Sequence, residues 1–120
     1  MRIIKRCCEA LDDKKAEGIK VLHVHDQSSI TDYFILATGN SEPHLRALTN
    51  TLSSLFKEEG VPVLGTETNA SSGWSVIDAF DIIVHVFLPD MRDFYRIDSL
   101  WKDAEEVPLD SFLYSKSVSD

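Results

Sequence analysis

The stretch from Ile82 to Leu88 constrains the fold more than any other. IIVHVFL is a run of Val, Ile and Phe broken by a single His, a composition that suits a strand buried on both faces, in the middle of a sheet. Upstream, residues Trp74 to Asp78 alternate, so Trp74, Val76 and Asp78 point one way and Ser75 and Ile77 the other. The link Asp78-Ala79-Phe80-Asp81 is short enough to fold the two segments into an antiparallel hairpin. With Ile77 toward the core, Trp74 and Val76 form an apolar face beside the Asp78 carboxylate, which is a candidate protein-binding surface.

The rest of the chain supplies elements to flank this hairpin. Ile3, Ile4, Cys7, Cys8 and Leu11 recur at helical spacing, predicting an amphipathic helix from residue 2 to about residue 17, ended by Gly18. Ile19 to His25 reads as a strand with no wholly polar face, and a second strand spans about Tyr33 to Thr38. Ser41 is a good N-cap and Pro43 fits a first turn. Leu45, Leu48, Leu52, Leu55 and Phe56 then mark one face of a long helix closed by Gly60. Val61 to Leu64 reads as a short strand and Thr66 to Ser72 as a polar loop. After Pro89, Asp90 is placed to cap a short helix through Met91, Phe94 and Tyr95, and Asp98 another bearing Leu100 and Trp101. The order predicts an α/β fold, a mixed sheet of about five strands flanked by helices. Residues 1–108 read as one domain. Residues 109–120, rich in Ser and without a clear period, read as a flexible tail.

Totals narrow the function. A chain of 120 residues, 43% hydrophobic and 27% charged, is an ordinary globular composition that buries roughly two-thirds of its unfolded surface. No apolar run approaches the ~20 residues of a membrane span. The opening MRIIKRCC has neither a long apolar region nor a small-residue cleavage site. Two adjacent cysteines, Cys7 and Cys8, offer no internal disulfide. A reduced, cytoplasmic setting is expected. The formal net charge of −8 repels a phosphate backbone, so little direct nucleic-acid contact is expected, and the acidity either suits a basic protein partner or serves solubility alone.

Candidate chemistry is sparse. His23-Val24-His25-Asp26 places two histidines on one face of a strand, as a metal site could, but no third ligand is evident, and two ordinary histidines at a strand end are the favoured reading. Thr38-Gly39-Asn40-Ser41 is a strand–turn–helix junction with a single Gly, short of the nucleotide-binding fingerprints and explained by turn geometry and capping. Asp78 and Asp81 flank a hairpin turn, where Asp is common for local hydrogen bonding. The cysteines have no evident base, so no catalytic residue, cofactor or metal is expected. Phe34, Phe56 and Phe87 are assigned to the core. Trp74 follows a polar loop, where burial is optional, and Trp and Tyr dominate binding hot spots because they offer large apolar area at little entropic cost.

LDDKKAEGIKVLHV, SSITDYFILATGNS, GWSVIDAFDIIVHVFLP, MRDFY and DSLW, in this order and spacing over about residues 3 to 104, closely resemble the ribosomal silencing factor (Iojap-like) family. The resemblance implies a nucleotidyltransferase-like fold without the catalytic carboxylates, and a non-enzymatic role. It further implies binding to large-subunit ribosomal protein fourteen, a basic protein on the face that meets the small subunit. Occupying that face blocks subunit joining and damps translation when nutrients are scarce. Homodimers are common in the family. Carried over by motif, Trp74 and Tyr95 are interface residues, joined by proximity by Val76, Asp78 and Met91. Phe80 and Thr68 stand where the family usually carries Gly, so the hairpin turn must relax or Phe80 must add apolar area to the surface. Two rivals stand beside repression: a large-subunit assembly factor using the same surface, and a nucleotide-using transferase, which would need a carboxylate triad that Asp32, Asp78 and Asp81 do not supply by spacing.

Overall fold

The computed structural model describes residues 2–24, 32–69, 72–79, 81–94 and 105–107. Helix α1 (Arg2–Asp13) leads into β1 (Glu17–His23) and β2 (Tyr33–Thr38), followed by α2 (Glu42–Glu58). Then come β3 (Gly65–Asn69), β4 (Trp74–Asp78), β5 (Ile82–Phe87), α3 (Pro89–Phe94) and β6 (Glu105–Val107). The strands form one mixed sheet in the order β3-β4-β5-β2-β1-β6. Only β2 and β5 run parallel, and the crossover between them carries α2. As its composition requires, β5 lies inside the sheet, paired on both sides.

Both long helices lie on the same face. Ile4, Cys7, Cys8 and Leu11 of α1 and Leu45, Leu48, Leu52, Leu55 and Phe56 of α2 pack with Val21, Ile35, Ile77, Val84 and Val86 of the strands. Ser41 Oγ accepts from His44 N at 3.2 Å and caps α2. The α2 face that meets β4 is not purely apolar, for Thr49 Oγ1 donates to Leu45 O at 2.8 Å and accepts from the Ser75 hydroxyl at 2.9 Å, so both buried hydroxyls are bonded. Arg6 and Arg2 reach Glu59 at 2.7 and 3.1 Å, tying the start of α1 to the end of α2.

Several boundaries differ from the sequence expectation, each for a local reason. Helix α1 stops at Asp13 because Lys15 takes a left-handed conformation (φ 68°) and Ala16 N bonds back to Leu11 O. Gly18 (φ 57°) belongs instead to β1, where the register against β2 shifts between Glu17 and Lys20, a bulge that needs a residue tolerant of positive φ. The predicted strand Val61–Leu64 is not one. The strand is the polar run that follows, β3, held in place by pairing with β4. With β6, the described residues form a six-stranded mixed sheet, in keeping with the expected sheet of about five strands. Asp90 lies within α3 rather than before it. The His25-Asp26 pair, Phe80, Tyr95, the Asp98 helix and the tail from Leu109 lie outside the described residues.

The bulge is locked from the other face. Arg92, buried on α3, donates from Nη1 to Gly18 O at 2.7 Å and to Thr38 Oγ1 at 2.8 Å, joining α3 to β1 and β2. Replacing Arg92 with Met keeps the apolar stem but removes the donor shared by the Gly18 carbonyl and the buried Thr38 hydroxyl, so the expected loss is about 2 kcal/mol in urea unfolding.

Candidate docking face

The sheet face opposite the two long helices carries its own apolar cluster, Leu22, Val24, Phe34, Leu36 and Phe87, with Ile83 and Met91 packed against it. Pairing register puts Trp74 opposite Phe87, Val76 opposite His85 and Asp78 opposite Ile83. The Trp74 and Phe87 rings stack at 5.6 Å between centroids and 18° between planes. The Trp74 and His85 rings follow at 6.1 Å and 20°, and Phe34 meets His85 edge-on at 5.3 Å. Phe87 is fully buried while Trp74 is 40% exposed. The indole is therefore supported by rigid aromatic neighbours and still reachable from solvent, the arrangement that gives a hot spot large contact area at little entropic cost.

Gly73 sets the entry of Trp74 into β4. Its φ of 80° is one that side-chain-bearing residues rarely adopt, and a Cβ there would lie 2.8 Å from Met91 Cγ and 3.2 Å from Leu88 Cδ1. Leu88 N donates to Gly73 O at 2.9 Å, bringing the start of β4 against the start of α3. Trp74, stacked on Phe87, and Met91, packed against the cluster that holds Phe87, thus lie at one end of the face. Val76 continues the face along β4, partly buried. Asp78 is at the other end of the strand, about 13 Å from Trp74 at the usual rise per residue, so it borders the patch rather than joining its centre. Beside Val76 and Asp78, Gly65, Thr66 and Glu67 complete the lining of an open pocket of about 440 Å³. Tyr95 lies outside the described residues.

His85 was not singled out by sequence as part of this face, although period-two alternation with Phe87 places it there once the β4–β5 register is known. Its Nδ1 is buried without a hydrogen-bond partner, and burial pushes its imidazole down from 6.5 to about 4. The ring beneath Trp74 is therefore neutral at neutral pH and packs as an aromatic. Other chemistry finds little support. Burial pushes the Cys7 and Cys8 thiols up to about 12, which leaves them unreactive. Among the described residues no group of three or more His, Cys, Asp or Glu gathers as a metal site. At the strand–turn–helix junction Gly39 N donates to Phe87 O and Asn40 N to His44 Nδ1, so these two amides are committed within the fold rather than turned to an anion.

Because the unfolded chain binds a proton at His85 more readily than the folded one, the His85 contribution is fully present above pH 6.5 and is lost as pH falls toward 4. Between pH 7 and pH 5 the His85 share of the loss is about 2 kcal/mol. Urea unfolding of wild type and His85→Leu at the two pH values measures it: the variant should lose that much less stability on acidification.

Comparison with known proteins matches this chain over residues 2–120 to the family model described as ribosomal silencing factor during starvation. The ribosomal silencing factor of Halalkalibacterium halodurans is 34% identical over 111 residues, covering 92% of this chain and 95% of that one. A crystal structure of a Chromobacterium violaceum protein superposes with a TM-score of 0.80 at 40% identity, covering 84% of each chain. A more distant relative, the mouse protein named mitochondrial assembly of ribosomal large subunit protein 1, is 29% identical over 94 residues, covering 76% of this chain and 41% of that protein. The mixed sheet with its helices is thus shared with solved relatives, and the match in sequence runs nearly end to end: the chain belongs to the ribosomal silencing factor family.

Proposed function

We propose that this protein represses translation in the cytoplasm by docking the Trp74 face onto ribosomal protein fourteen of the large subunit, where its bulk blocks the small subunit from joining. No bond is made or broken in this reading. The observation that carries it is the exposed indole stacked on a buried Phe87, because a pre-ordered aromatic on an apolar face loses little freedom on binding. Trp74, Val76 and Met91 supply the apolar contact, with Asp78 at its border and Tyr95 assigned by family motif.

Charge supports the same orientation. Arg2, Lys5, Arg6, Lys14, Lys15, Arg46 and Lys57 nearly balance the acidic residues of the two long helices and their turns, so the net −8 arises in the rest of the chain. A basic partner is steered toward the strands and connections rather than toward the helical layer.

A second reading, escort of maturing large subunits, is favoured by the name of the mouse relative and would use the same face. Cosedimentation with mature and immature large subunits separates the two: repression requires binding to the mature particle, whereas binding to the immature particle alone supports escort.

Trp74→Ala should weaken binding to purified ribosomal protein fourteen by about 2 kcal/mol or more, a loss of roughly thirtyfold, with an unchanged far-UV circular dichroism spectrum. Retained binding by the folded variant would contradict the proposed site.

A further inference from the structure

We infer that the outer edge of β3 is a second part of the interface, where an extended Lys- or Arg-bearing segment of the ribosomal protein partner pairs with the sheet as an added strand. This rests on the docking reading above and specifies its mode. In the sheet order β3 is terminal, so among the described residues no strand lies on its outer edge. An edge strand presents backbone N–H and C=O groups ready to pair, unless Pro, Lys or a bulge blocks them. The β3 sequence GTETN holds neither Pro nor Lys, and its register against β4 is continuous from Gly65 to Asn69.

The surroundings of this edge suit a basic, extended occupant. Leu64, just before β3, is 63% exposed and offers an apolar anchor. Gly65 lies opposite Asp78 and Glu67 opposite Val76, so both carboxylates border the open pocket on the Trp74 side of the sheet. A Cβ at Gly65 would meet no atom within 4 Å, leaving space beside Asp78 for an incoming side chain. An added strand gains main-chain hydrogen bonds along β3, while its alternate side chains reach Glu67 and Asp78 as Lys or Arg. Val76 and Asp78 belong to the pocket and to the proposed docking face alike, so one partner could span both without a gap.

Hydrogen–deuterium exchange on the full chain, free and with purified large ribosomal subunits, tests the inference. The expected result is that amides within residues 64–69 not bonded to β4 exchange at least about tenfold more slowly in the complex, alongside slowing within 72–78 and 88–94. Slowing at 72–78 and 88–94 but not at 64–69 would overturn edge pairing and leave the docking reading standing. No slowing in any of these segments would overturn both. Slowing at 64–69 in the free chain that rises with its own concentration would assign the edge to a second copy and overturn the inference. Leu64→Asp should weaken subunit binding by about tenfold with unchanged circular dichroism, and undiminished binding would count against the edge.

Discussion

The placement of both long helices on one side of the sheet is the constraint from which the rest follows. α1 and α2 give their apolar faces to Val21, Ile35, Ile77, Val84 and Val86, which leaves the opposite side of the same strands to be covered by other means. In many mixed or antiparallel sheets that side is polar and simply solvated. Here it is not, because β5 is apolar on both faces and sits between β4 and β2. Leu22, Phe34, Leu36 and Phe87 are buried there with Met91 of α3 against them, yet the cover thins toward β4. At that margin the indole of Trp74 rests on the cluster with one side in solvent.

Two devices keep this margin in place. Arg92 clamps α3 to the bulged start of β1 and the end of β2, and the left-handed Gly73 lets Leu88 and Met91 approach the first residue of β4. Side chains that position the platform are therefore distinct from those that present it. His85 belongs to the first group: its neutral ring fills the space between Trp74 and Phe34, at the cost of one buried nitrogen without a partner. That cost is the type a native protein tolerates where an aromatic surface must be held rigid.

Much of this was legible from residues alone where pattern and length agreed. The β4–β5 hairpin, the α2 helix with its Ser41 cap and Gly60 end, and the core roles of Phe34, Phe56 and Phe87 follow from periodicity and capping. β3 was not legible, because GTETN carries no strand composition and is held extended only by its partner β4. The end of α1 was misplaced because a Gly is the usual stop signal, whereas Lys15 takes the left-handed position and Gly18 serves a bulge. Three residues of β6 are too few to carry a period. For the candidate face, alternation gave Trp74, Val76 and Asp78 a common side, but only the strand register could add His85 and set Asp78 apart from Trp74.

What unites fold and function is that the same sheet is sealed on one side and available at one margin of the other. The most direct measurement is stopped-flow light scattering of small subunits mixed with large subunits pre-incubated with wild type or with Trp74→Ala. Wild type should suppress the rise in scattering in proportion to its occupancy of the large subunit, while the folded variant at the same concentration leaves the rise nearly intact. Equal suppression by both proteins would contradict a silencing role for this face.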